Sequence, residues 1–381
     1  MTGKNLIRYF LIVCFTAACF QAAVAKDHQE KQSSLSADGP YILYDSTGGF
    51  RMVWVGEDAV IRDTSYAAVP AGFSFPVVSG NGKHRFRVKL HTFERQPWKM
   101  PQPEKMLVIS DPHGNLDCFV SVLRNNGVID ENYTWNFGDN RLVIIGDVFD
   151  RGKDVLPIFW LIYKLEQEAA QAGGGVTFTL GNHEEMVLRG DCRYTRNKYK
   201  ELADSLRVAY QDLWQENSEL GRWLRTRNLV QIIGNNLIVH AGLSTEFLKR
   251  KEAVLQMNEA AGKGLSLNKE GRKAVSATSA FVFDTKVGPF WYRGMVKSAD
   301  KYQPVYLPDV IRLLKKYKVD RILVGHTIFD DITTFYQGRV IAVNVDNEEN
   351  YKKGRGRGIL IEGNKISVIY DKKSPEPMFK F

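Results

Sequence analysis

Met106-Leu107-Val108-Ile109-Ser110-Asp111-Pro112-His113-Gly114 is an apolar run that stops at an aspartate, with a histidine two residues on. A short apolar run closed by turn-forming residues is the pattern of a strand buried on both faces. The pattern recurs at residues 141–145, which lead into Gly146-Asp147, and at 176–180, which lead into Gly181-Asn182-His183. Residues 236–239 run into His240, and 321–324 lead to Gly325-His326. Between these runs, residues 116–126 and 155–172 carry helical spacing. Strands alternating with helices predict a layered α/β domain.

The histidines sharpen the reading. The chain has seven, and His28, His84 and His91 precede residue 100. The other four, His113, His183, His240 and His326, each follow a predicted strand, as do Asp111, Asp147 and Asn182. Open α/β sheets collect ligands beyond the carboxyl ends of their strands, so these side chains are expected to converge. A lone histidine after a strand is usually a hydrogen-bonded core residue. Four of them with carboxylates and an amide form a ligand set for borderline metals such as manganese, iron or zinc. One carboxylate can bridge two such ions about 3.5–4 Å apart, a geometry that clamps a phosphoryl group.

Five segments occur in order: Asp111-Pro112-His113-Gly114, Gly146-Asp147-Val148-Phe149-Asp150-Arg151-Gly152, Gly181-Asn182-His183-Glu184, His240-Ala241-Gly242 and Gly325-His326-Thr327. Together, over residues 106 to about 345, they resemble the phosphoprotein phosphatase branch of the calcineurin-like metallophosphoesterases. The segment from Asn182 to Tyr194, with Phe290-Trp291-Tyr292-Arg293-Gly294, is most similar to the bacterial Shewanella-like protein phosphatases. Ser110 stands where that family usually has glycine, Pro112 fills a variable slot, and Ala241 replaces a glycine common in eukaryotic relatives; none of these removes a ligand.

The resemblance implies a layered β-sandwich flanked by helices, and two divalent or trivalent transition-metal ions, manganese first and iron or zinc next. It implies Asp111 and His113 on the first ion, Asp147 bridging, and Asn182, His240 and His326 on the second. A water shared by the ions would attack the phosphorus. His183 would protonate the leaving oxygen, with Asp150 orienting and charging its imidazole. Arg151 would fork two hydrogen bonds onto the phosphate, a contact in which Asn182 shares. Arg293 is a second phosphate contact in this reading, or else a salt bridge behind Trp291 and Tyr292. Glu184 and Glu185 read as helix N-terminal carboxylates favoured by the dipole.

Outward from this region, residues 26–95 read as a polar leader and a small antiparallel β-rich domain, with strands at 41–44, 51–55 and 85–90. Residues 96–104, with three prolines, read as a linker, 105–381 as the catalytic domain, and 184–228 as a helical cap. The run Gly354-Arg355-Gly356-Arg357-Gly358 reads as a flexible turn before a strand at 359–362. Residues 1–25 have the form of a cleavable export signal: Lys4 and Arg8, an apolar run over 9–20, and Ala23-Val24-Ala25. That run is short for a membrane span, which needs about 20 residues. The expectation is a periplasmic or extracellular protein, with an uncleaved anchor as the alternative and no span after cleavage. Export would bring Cys118 and Cys192 into an oxidising compartment, where they either pair or remain free thiols.

Hydrophobic residues make up 44% of the chain and charged residues 25%, a globular composition and not a disordered one. The net charge is +9. The lysines and arginines are dispersed, which points to a solvated surface and away from nucleic acid.

Three functions compete. The first is a phosphomonoesterase for phosphorylated protein, peptide or small-molecule esters, with phosphotyrosine among them. The second is a nucleotide pyrophosphate or phosphodiester hydrolase of the diadenosine tetraphosphatase type. The third is a metal-binding surface module with an inactive phosphatase domain. The Asp150-Arg151-Gly152 ending favours the first, because it supplies an acid partner and a phosphate arginine together.

Overall fold

The computed structural model describes residues 33–378. The expected export signal lies outside the described residues. The chain divides after Ser34, and the compact unit Leu35–Phe381 carries the elements that follow.

At its start β1 (Asp38–Tyr44), β2 (Phe50–Val55) and β3 (Ile61–Tyr66) form an antiparallel sheet, and β4 (Ser74–Val78) and β5 (Arg85–Lys89) a separate hairpin. These two sheets enclose no core of their own. Tyr41, Phe50, Phe75 and Val88 belong to one buried cluster with Phe159 and Trp160 of the helix Val155–Gln171. Phe75 meets Trp160 edge-on at 4.9 Å, and the Trp160 indole donates to the Pro40 carbonyl at 2.9 Å.

The remaining strands are β6 (Lys99–Met100), β7 (Lys105–Ser110), β8 (Arg141–Ile145), β9 (Gly175–Thr179), β10 (Val230–Ile233) and β11 (Asn236–Val239). They continue with β12 (Arg321–Val324), β13 (Thr333–Phe335), β14 (Val340–Ala342), β15 (Gly358–Glu362), β16 (Lys365–Ile369) and β17 (Glu376–Pro377). One six-stranded sheet runs β17-β16-β15-β7-β8-β9, the other β13-β14-β12-β11-β10-β6. The segment 96–104, expected as a linker, thus supplies β6 as an edge strand beside β10.

Alternation within each apolar run explains the layering, because successive strand residues point to opposite faces. Met106, Val108, Val143 and Ile145 from one sheet join Ile233, Ile238, Leu323 and Ile341 from the other in one buried layer. Their neighbours Leu107, Ile109, Leu142 and Ile144 join the cluster containing Phe119 and Leu123 of the helix Leu116–Asn125. Both faces of these strands are buried, which is why the runs read as continuous apolar text.

Residues 184–228 are helical, in Asn182–Leu188, Asn197–Ser205, a 3-10 turn at Tyr210–Trp214 and Glu219–Arg225. They bury Trp214, Trp223 and Leu224. The glycine-arginine run differs from the flexible turn expected. Gly354 closes the helix Asn347–Lys353 at φ 63°, and Arg357 is buried, paired with Asp371 and donating to the Cys118 carbonyl. A buried guanidinium persists only when paired and hydrogen-bonded, so this run is anchored. Among the described residues Cys118 and Cys192 are free thiols, the first buried and the second half-buried.

Candidate metal centre

In-register parallel pairing brings the strand ends together. Ser110 lies opposite Ile145, Ile145 opposite Thr179, and Val239 opposite Val324. The loops leaving these ends carry Asp111, His113, Asp147, Asn182, His183, His240 and His326, as the sequence predicts. Cross-links sew the two sheets' ends together. The His326 N–H donates to the Asp111 carboxylate of the other sheet at 3.1 and 3.2 Å, and within its own sheet the Gly325 N–H donates to the His240 carbonyl at 2.8 Å.

The turns are sharp. Asp111, His113, Asp147, Asp150, Arg151 and His326 all have positive φ, between 42° and 70°. Left-handed backbone at non-glycine residues costs of order 1–3 kcal/mol each and gathers where function fixes geometry. Gly146 also has positive φ, and a Cβ there would lie 2.7 Å from both the His240 Nδ1 and the Gly181 Cα, so only glycine lets the loops close this tightly.

Asp147 is the focus. Its Oδ2 lies 3.2 Å from the His240 Nε2, 3.8 Å from the His113 Nε2 and 4.0 Å from the His183 Nε2. Two ligand-type clusters share it, His113 with His183 on one side and His240 with His326 on the other. The amide oxygen of Asn182 is 3.0 Å from the His240 Nε2. The other ring nitrogens are already engaged: Nδ1–H of His113 donates to the Phe149 carbonyl at 2.8 Å, and Nδ1–H of His240 to the Ile145 carbonyl at 3.0 Å. Such bonds fix the tautomer and turn Nε2 toward a metal. His326 is the sharpest test of fit, since its buried Nε2 has no hydrogen-bond partner among the described residues. A buried orphan nitrogen costs about 1–3 kcal/mol unless something absent supplies the bond, and a cation does so. The donor set therefore fits metal ions.

Burial and mutual charge displace the titration of these side chains. Burial pushes the Asp111 carboxyl up to about 6 and pulls the His113 imidazole down to about 3. Burial also raises Asp147, but the imidazoles of His240 and His183 outweigh it and hold that carboxyl well below its usual range. Burial lowers His240, yet the Asp147 carboxylate prevails and lifts it to about 9.

Asp150 and His183 form a separate pair, with Oδ2 2.6 Å from Nδ1. The Thr195 hydroxyl donates to the other Asp150 oxygen at 2.7 Å. Burial opposes the charged imidazole of His183, but Asp147 and then Asp150 raise its pKa above the ordinary value. Arg151, next to Asp150 in the chain, is exposed. Arg293 is half-buried, and its Nη1 donates to the His326 carbonyl at 2.8 Å and the Thr327 hydroxyl at 3.1 Å, so it neighbours the site without an acidic partner there.

Three participants were not expected. Glu184, read as a dipole-favoured carboxylate, accepts from the backbone N–H groups of Gly181, Asp147, Val148 and Phe149 at 2.7 to 3.3 Å. It binds the Asp147 loop to the Asn182 turn. Asn344 donates to Asp111 at 2.8 Å, and the Ser110 hydroxyl donates to the same carboxylate. Serine in the glycine slot thus becomes a partner of a predicted ligand.

A binuclear-type donor set at the carboxyl ends of two stacked sheets defines a metallophosphoesterase. Residues 104–329 match the family of calcineurin-like phosphoesterases, and the chain belongs to it as a metal-dependent phosphoric ester hydrolase. It is similar, at 28% identity over 228 residues, to Shewanella-like protein phosphatase 1 of Plasmodium berghei, covering 58% of this chain and 61% of that protein. An uncharacterized fission-yeast protein, C1840.07c of Schizosaccharomyces pombe, is 29% identical over 65% of this chain and 74% of its own length. Among solved structures, the cold-active protein-tyrosine phosphatase of a psychrophilic Shewanella species superposes with a TM-score of 0.77 at 28% identity, covering 90% of this chain and 99% of that one.

Proposed function

We propose that this chain is an exported phosphatase of phosphate monoesters whose substrates are phosphorylated proteins or peptides, phosphotyrosine foremost. The observation that carries the reading is the buried Asp150–His183 pair, held at 2.6 Å beside the Asp147 focus. An anhydride expels a weakly basic phosphate without demanding such an acid, whereas an alkyl or tyrosyl leaving oxygen benefits from one. The names of the similar proteins, a protein-tyrosine phosphatase and a Shewanella-like protein phosphatase, support the same substrate class.

Asp111 and His113 would hold one ion, Asn182, His240 and His326 another, and Asp147 both. Bound ions of this kind lower the pKa of a water and draw charge from the phosphoryl oxygens. The imidazole of His183, kept protonated by Asp150, gives its Nε2 proton to the leaving oxygen. Arg151 and Arg293 grip the non-bridging oxygens, with the Asn182 amide beside them, and hold the phosphorus in line. Manganese is the proposed metal, with iron and zinc next, because the donors are carboxylate, imidazole and amide without thiolate.

The reading is tested on protein supplied with manganese, against phosphotyrosine and phosphoserine peptides, diadenosine tetraphosphate and bis-p-nitrophenyl phosphate. Peptide monoesters should exceed the diester by orders of magnitude in kcat/KM. Preference for the dinucleotide would overturn the reading. Export is proposed from Lys4, Arg8 and Ala23-Val24-Ala25. Mature protein from the native host should begin at Lys26, and an intact N-terminus in the cytoplasm would refute it.

A further inference from the structure

Tyr194 is an exposed aromatic, with half of its surface open to solvent. Single exposed aromatics are ordinary, but this one is tied through its own carbonyl and the two residues after it to Asp150 and Arg151. Its carbonyl accepts from the Arg151 N–H at 3.2 Å. The next residue, Thr195, donates to the Asp150 carboxylate at 2.7 Å, and Arg196 donates through Nε to the Arg151 carbonyl. On the preceding side Arg193 is spent on Asp191, with two bonds of 2.8 Å. The tyrosyl ring is thereby held 5.6 Å from the His183 imidazole, tilted by 45°.

Geometry then constrains the leaving group. His183 Nδ1 is taken by Asp150, so the proton it delivers leaves from Nε2. An oxygen within about 2.6–3.2 Å of that nitrogen brings the leaving group's first carbons beside an imidazole whose centroid is 5.6 Å from that of the Tyr194 ring. The single methylene of a phosphoserine offers that ring little. The flat ring of a phosphotyrosine offers an aromatic pair, which is worth about two- to tenfold in affinity beyond the area buried.

We propose that Tyr194 is a specificity residue for the leaving group, selecting aryl over alkyl phosphate monoesters by stacking on the departing phenyl ring. The inference deepens the monoesterase reading and rests on it. It is tested with the full metal-loaded enzyme and its Tyr194→Ala and Tyr194→Phe variants on phosphotyrosine and phosphoserine peptides, with diadenosine tetraphosphate alongside.

Tyr194→Ala should lose about tenfold in kcat/KM on the phosphotyrosine peptide, mostly through KM, and less than about twofold on phosphoserine. Tyr194→Phe should match the wild type on both, because the ring and not the hydroxyl does the selecting. Equal losses on both peptides, no loss on phosphotyrosine, or a fall in metal content or melting temperature of Tyr194→Ala would each overturn the proposal while leaving the monoesterase reading standing. A wild-type enzyme that ignores both peptides and cleaves the dinucleotide would overturn the two together.

Discussion

Glu184 and His183 are neighbours in the chain with opposite duties. Glu184 is wholly buried and takes four backbone N–H donors from two loops. Glu184→Ala would strand those donors, each worth about 1–3 kcal/mol when buried unpaired. We expect a loss of at least about 3 kcal/mol in stability together with weakened metal binding, read by denaturant melts and elemental analysis. His183 touches no metal in this account. His183→Asn should keep its metal yet lose about 10²–10⁴-fold on phosphoserine. It should lose far less on p-nitrophenyl phosphate, whose phenolate departs without a proton. His240→Asn should instead shed metal and fail on both substrates; identical behaviour of the two variants would make His183 a ligand. The convergence of these residues was legible in the sequence because they follow apolar runs. Glu184, Ser110 and Asn344 were not, since their work depends on partners no local pattern announces. Asn344 reaches Asp111 across 233 residues of chain.

Strands of four to six residues buried on both faces were readable as continuous apolar text, and β8, β11 and β12 fall where the runs predict them. Elements of two or three residues such as β6 and β14 were not, because so short a run carries no period and exists only by pairing with neighbours. Of the N-terminal strands β1, β2 and β5 were legible, β3 and β4 were not, and neither was the sharing of a core with Trp160, which depends on long-range packing. The layer between the sheets gives a test at this scale. Ile238 is fully buried there, and Ile238→Ala should cost about 2–5 kcal/mol. Ile311, 45% exposed on the helix Leu307–Tyr317, should tolerate the same change within about 0.5 kcal/mol. Thermal melts of the two variants read the difference, and equal losses would mean that the two-sided layer has been misplaced.

At the scale of the molecule, two sheets each lend loops to one centre, so cations held there would bridge the halves of the sandwich. His113 and Asp147 follow strands of one sheet, His240 and His326 strands of the other. Ions that bind only the folded state stabilise it by mass action, about 2.7 kcal/mol at a hundredfold excess over Kd. Chelation should therefore lower the melting temperature and abolish turnover, and manganese should restore both. Melting unchanged by chelator would argue against this coupling. The central claim is that Asp147 holds two ions at once, and its most direct measurement is the metal content of the wild type and Asp147→Asn by elemental analysis. The account predicts about two equivalents in the wild type and well under one in the variant, with turnover lost. Two tightly bound equivalents in Asp147→Asn would contradict it.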